Sequence, residues 1–308
     1  MKVYVSDRRR CEVIVLPGDL ADVDERFGAR GSGIGEFERP RGLASDDVNQ
    51  LLVADAGNHR IVSFDPVDFV GSWQEYGTFG SGVDEFDTPT AVHVDEKGVI
   101  WIADTGNRRV VRVDSLSGSG WAALGPLPGP TSADPDAIGF LAPTSLAHDA
   151  AGRIYVTDGR AGRVVRIDEI GGWGWSAIGP FVGGVPLAAP VGVCAIGDTV
   201  LVVDVRRSAL VEILDAGTGV ETFVEHGAAG VLVMPSAMAS ESSNVVYVTD
   251  PRASVIVQFV TEGAGGWSPN TTLSSIVAEG EPRRFDEPVG IAIAHFARPQ
   301  PPCRPYAS

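Results

Sequence analysis

The chain has 308 residues, 44% of them hydrophobic, with 38 glycines and a formal net charge of -16. A surface of that sign repels phosphate backbones and anionic lipid over most of its area, which argues against DNA and membranes as partners. No apolar run approaches the ~18 residues of a spanning helix, and no leader-like apolar segment follows Met1. The cysteines Cys11, Cys194 and Cys303 lack metal-ligand spacing, so they read as reduced thiols in a cytoplasmic chain without a metal or other cofactor.

In chain order, two strands come first, V-Y-V-S-Asp7 and C-E-V-I-V-Leu16. Six segments follow in which a proline introduces a short apolar stretch: Pro40-R-G-L-A, Pro89-T-A-V-H, Pro143-T-S-L-A, Pro190-V-G-V-C, Pro235-S-A-M-A and Pro288-V-G-I-A. Three residues before each proline sits an apolar residue, Phe37, Phe86, Phe140, Leu187, Leu232 or Phe285. After the first five prolines a second strand ends in an aspartate, at Asp55, Asp104, Asp158, Asp204 and Asp250, 14 or 15 residues on. A third strand follows each, as in I-V-S-F-Asp65 and V-V-R-V-Asp114. These runs are short, rich in β-branched residues and bounded by turn formers, as strands are. A weaker fourth strand is expected around Trp121, Trp173 and Trp175, whose rings would clamp outer edges. A repeat of about 45 to 54 residues with four strands is the size of a propeller blade.

After the sixth proline no second strand follows; the chain continues A-R-P-Q-P-P-C-R-P-Y-A-S, which is too rich in proline for an inner strand. The missing strands stand at the N-terminus instead. The expected fold is therefore all-β: a six-bladed β-propeller over residues 1–297, closed by the C-terminal strand pairing with the N-terminal ones in one blade. Residues 298–308 are expected to form a proline-rich tail.

The block Pro40-R-G-L-A…L-L-V-A-Asp55-A-G-N-H-R-I-V-S-F-Asp65 resembles the NHL repeat, and I-W-I-A-Asp104-T-G-N-R-R-V-V-R-V-Asp114 resembles it almost as closely. The resemblance implies several possible activities. Amidating and ring-opening lyases of this kind use a central cluster of histidines, often with a metal. Here His59 belongs to a turn, and His93 and His148 stand one strand position apart in their blades, so they need not converge. No metal-ligand spacing is present among these or His226 and His295. Lactonase-like members coordinate calcium from carboxylates on inner strands; here carboxylates appear only at the strands' far ends, at Asp46, Asp95 and Asp149. Cys194 has no evident base beside it. No catalytic residue is assigned. RNA-binding members read single strands with a basic face, but the arginine loops here offer no aromatic for stacking, which disfavours RNA.

The basic residues are 22 arginines and the lysines Lys2 and Lys97, and half of the arginines fall in the turns after the second strands. Arg60, Arg109 and Arg163, five residues after their aspartates, are expected to brace those turns. Arg8, Arg9, Arg10, Arg108, Arg160, Arg206, Arg207 and Arg252 are assigned to a partner-binding face. The residues after the prolines (Arg41, Thr90, Thr144, Val191, Ser236 and Val289) are expected to line the channel mouth on that side. The leading expectation is a non-catalytic scaffold presenting this face to a protein partner or an anionic group. The alternative is a lyase or hydrolase working at the channel mouth, and the third is single-stranded RNA binding.

Overall fold

The structure is a computed structural model, and it describes residues 1–17, 25–46, 50–125, 139–179, 187–214, 216, 222–227, 230–261, 266–273, 275–278 and 281–294. His295, Cys303 and the 298–308 segment lie outside these residues.

Six four-stranded antiparallel sheets make the blades of a propeller. Blade 1 runs outward as Pro40–Ser45, Leu51–Asp55, Arg60–Phe64 and Gln74–Tyr76. Blade 2 is Pro89–Val94, Ile100–Asp104, Arg109–Val113 and Ala122–Leu124, and blade 3 is Pro143–His148, Ile154–Asp158, Arg163–Ile167 and Ser176–Ile178. Blade 4 is Pro190–Ile196, Thr199–Asp204, Ala209–Leu214 and Thr222–Gly227. Blade 5 is Ala237–Ser242, Val245–Asp250, Val255–Thr261 and Trp267–Leu273. In blade 6 the inner strand Pro288–Ala294 pairs with Lys2–Asp7, followed by Glu12–Pro17 and Glu25–Phe27. The inner strands of successive blades touch one another around a ring that includes blade 6.

The second strands are apolar without alternation, L-L-V-A, I-W-I-A and I-Y-V-T, because both faces of a blade are covered. Apolar residues gather in six clusters, one in each gap between neighbouring blades. The core is thus a set of inter-blade layers, and a residue on either face of a strand is buried. Inner strands approach closely where the second residue after each proline is small: Gly42, Ala91, Ser145, Gly192, Ala237 and Gly290. A Cβ on Gly290 would stand 2.0 Å from the Arg41 carbonyl oxygen, and one on Gly42 would stand 2.6 Å from the Ala91 Cα.

The aspartate ending each second strand, counting Asp7, is fully buried. Each accepts hydrogen bonds from the backbone N–H groups just ahead of its own inner strand: Glu38 N to Asp55 at 2.7 Å, Asp87 N to Asp104 at 2.8 Å, Ala142 N to Asp158 at 2.8 Å, and Asp286 N to Asp7 at 2.8 Å. Asp204 and Asp250 take the same bonds from Ala188 and Met234. The carboxylate is therefore a staple that satisfies otherwise orphaned donors and fixes the turn to the channel mouth. Four residues after it the backbone is left-handed in every blade: Cys11, His59, Arg108, Gly162, Ser208 and Ser254 have φ between 51° and 66°. His59 thus occupies a turn position, where its Nδ1 accepts the Thr88 N–H at 3.0 Å.

Candidate functional site

The stapled turns and the starts of the inner strands share one face of the disc. Three of its arginines are internal braces. Arg60 Nε donates to Asp55 at 2.9 Å and Arg109 Nε to Asp104 at 2.7 Å; Arg163 lies 3.5 Å from Asp158. Their other donors reach loop carbonyls such as Glu36, Ser81, Glu85 and Gly139. Each guanidinium also stands over a tryptophan: Arg60 over Trp73, Arg109 over Trp121 and Arg163 over Trp175, at 5.3 to 5.7 Å. Those rings pack on Phe37, Phe86 and Phe140. Trp173 departs from the clamp expected of it. It sits in a turn, 76% exposed, while Trp73 takes the corresponding place in blade 1.

The eight arginines assigned to the face divide in two. Arg8 pairs with Glu287 (3.5 Å), Arg9 with Asp286 (3.1 Å), Arg10 with Asp7 (3.9 Å) and Arg207 with Glu225 (2.5 Å). Arg160, Arg206 and Arg252 are exposed and, with the half-buried Arg108, have no ion pair among the described residues. Their backbones are nonetheless held, since the N–H groups of Arg206 and Arg252 donate to Asp204 and Asp250.

The same face carries apolar side chains that the sequence reading missed. Ile34, Phe79, Val83, Val233 and Met234 are exposed. They belong to the loops that Arg60, Arg109 and Asp250 tie down: Gly33 and Glu36 flank Ile34, Gly82 and Glu85 flank Val83, and the Phe79 ring packs edge-on against His59. The signal was available in the repeated G-S-G-I-G-E and G-S-G-V-D-E loops, where one apolar residue stands among glycines with no strand to bury it.

A channel of about 670 Å³ runs along the inner strands. Alternation along those strands builds it in layers. The layer nearest the arginine turns is Arg41, Thr90, Thr144, Val191, Ser236 and Val289, beside Arg8, Val205 and Pro251. The hydroxyls are tied inward, Thr144 to Thr157 and Ser236 to Thr249 at 2.9 Å each. The next layer is apolar throughout: Leu43, Val92, Leu146, Val193, Met238 and Ile291, all buried. The far layer holds Ser45, Val94, His148, Ala195, Ser240 and Ile293, with His93 and Glu96 alongside.

The two inner-strand histidines do converge, which strand position left open. His93 Nε2 and His148 Nδ1 are 2.5 Å apart, and His148 Nε2 lies 4.0 Å from Glu96. Neighbouring inner strands run side by side around the axis, so a one-residue offset still brings two long side chains together. Burial, then the neighbouring His148, pushes the His93 imidazole down to about 3, with Asp95 opposing. Cys194 is buried and its thiol is pushed up to about 12, so it stays protonated and unreactive. Among the described residues, no group of three or more His, Cys, Asp or Glu could hold a metal, and no helix is long and apolar enough to cross a membrane.

Residues 37–64 match the NHL repeat. The matched segment covers the first three strands of blade 1, and with the six-bladed fold it supports an NHL-repeat β-propeller. No curated protein matches the sequence. Similar solved structures include virginiamycin B lyase from Staphylococcus aureus, 15% identical, covering 87% of this chain and 80% of that one with a TM-score of 0.61. A chain of the nidogen/laminin complex is 14% identical over 94% of this chain and 97% of that one, with a TM-score of 0.64. A protein from Lactobacillus plantarum is 12% identical over 94% and 99%, with a TM-score of 0.60. At these identities the likeness is one of fold.

Proposed function

We propose that the chain is a non-catalytic binding scaffold whose arginine face holds a protein partner with an acidic surface. The observation that carries this reading is the pairing of exposed, unpaired Arg160, Arg206 and Arg252 with exposed Ile34, Phe79, Val83, Val233 and Met234 on stapled turns. Apolar anchors with arginine around them are the composition of interface hot spots. Turns already fixed by buried aspartates lose little freedom on docking. In a chain of net charge -16, these guanidiniums would also select the acidic side of a partner rather than attract anions at large. The nidogen/laminin complex shows a propeller of similar fold in a protein assembly. The reading takes residues 1–297 as the propeller, 298–308 as a tail, and the cytoplasm as the location, where free thiols such as Cys11 and Cys194 persist.

The test compares wild-type protein with an Arg160→Glu/Arg206→Glu double variant in pull-downs from native lysate at low and high salt. Specific proteins retained at low salt, weakened at high salt and lost in a double variant of unchanged thermal stability support the reading. Retention by the double variant places the interface elsewhere.

A second reading, a lyase or hydrolase, is favoured by the His93–His148 contact with Glu96 nearby at the far end of the channel. Histidine is the side chain that most often transfers protons in catalysis, His148 being the candidate here, and virginiamycin B lyase has a similar fold. Turnover that disappears in His148→Gln and survives the double arginine reversal would replace the first reading with this one.

A further inference from the structure

The Arg41 guanidinium is the one at the channel mouth left without a hydrogen bond or ion pair among the described residues, and the residue is only partly exposed. Its charged neighbours account for one another. Arg8 faces Glu287 at 3.5 Å, and Arg39 and Arg30 face Glu38 at 3.7 and 4.0 Å, so these carboxylates are already engaged and the Arg41 charge is left over. Burial, then Arg8, lowers the Arg41 guanidinium from its ordinary value, with Glu287 opposing. A partly desolvated cation with no partner is costly to keep, and an incoming anion relieves the cost. Beneath Arg41 lies the apolar layer of Leu43, Val92, Leu146, Val193, Met238 and Ile291, and the channel's 670 Å³ falls within the roughly 300–1,000 Å³ of small-molecule sites.

We propose that this mouth binds a small monocarboxylate with an apolar tail, its head on Arg41 and its tail in the apolar layer. The head is a carboxylate because a planar guanidinium grips it with two parallel hydrogen bonds. It is a monoanion because Arg41 offers one unengaged guanidinium and Glu287 alongside repels a second negative charge. Thr90 and Val289 flank Arg41 from the neighbouring blades and complete the collar around the head. The site does not depend on the docking face: its residues differ from Arg160 and Arg206, so either assignment can fail alone.

The probe is octanoate, titrated calorimetrically into the whole protein, with octan-1-ol, acetate and inorganic phosphate as comparisons. Octanoate is expected to bind, with octan-1-ol and acetate each at least tenfold weaker and phosphate unable to displace it. Arg41→Gln should weaken octanoate by about 10- to 100-fold, the range for a hydrogen bond to a charged group. Thr90→Glu, which supplies a carboxylate from within the chain, should block the probe without removing Arg41. Absence of octanoate binding, equal binding of octan-1-ol, displacement by phosphate, or unchanged affinity in a folded Arg41→Gln protein would each overturn the assignment.

Discussion

Buried carboxylates carry unequal loads although they occupy equivalent positions. Asp104 serves backbone donors and also neutralises the buried Arg109, whereas Asp250 serves backbone donors with Val255 where the arginine would be. Asp104→Asn should therefore cost about 3–5 kcal/mol, the usual penalty for stranding one member of a buried pair. Asp250→Asn should cost about 1–3 kcal/mol, the range for a lost buried hydrogen bond. Chemical denaturation of the two variants measures the difference, and equal costs would mean that the arginine contributes nothing. His93 gives a pH signature. Unfolded, it takes up a proton near its ordinary 6.5; folded, it stays neutral down to about 3 beside His148 and Asp95. Between those values acid protonates the unfolded chain preferentially, so stability falls as pH falls, by roughly 1.4 kcal/mol per unit from this group. His93→Gln should flatten the stability profile between pH 6.5 and 4.5, and an unchanged profile would show that the imidazole is not held neutral. The brace arginines were legible from their fixed distance to aspartate. The histidine contact was not, because the side-by-side packing of inner strands is absent from any one blade's sequence.

At the scale of elements, legibility followed burial. Second and third strands announce themselves as continuous β-branched runs because neighbouring blades cover both faces. Outer strands such as Ala122–Leu124 have one partner strand and partial burial, so they carry no strong pattern. The small residue two positions after each proline was written in the sequence but had no meaning until the inner strands were seen to meet there. Pro288–Ala294 shows the consequence. Its Gly290 leaves no room for a side chain against the Arg41 carbonyl and Ser6 Oγ. Gly290→Val should separate blades 6 and 1 and cost at least about 3 kcal/mol, the upper range for overpacking. A denaturant midpoint within error of wild type would mean that the inner strand of blade 6 is free to shift.

On the whole molecule, charge is unevenly spread: the net of -16 coexists with a face where Arg108, Arg160, Arg206 and Arg252 lack ion pairs among the described residues. Association through that face should be faster at low ionic strength, with steering by local rather than total charge. Stopped-flow association of an identified partner should slow by about tenfold or more between 20 mM and 300 mM salt, and a flat dependence would assign recognition to the apolar loop residues alone.

The mouth layer has a further property. Each of its six side chains comes from a different blade. Altering one leaves the others on separate supports, so mouth chemistry can be rewritten combinatorially, one blade at a time. Arginine, threonine, serine and valine already coexist there on equivalent backbone positions. Natural variants of this scaffold could therefore diverge in what they hold at the axis while keeping the same disc.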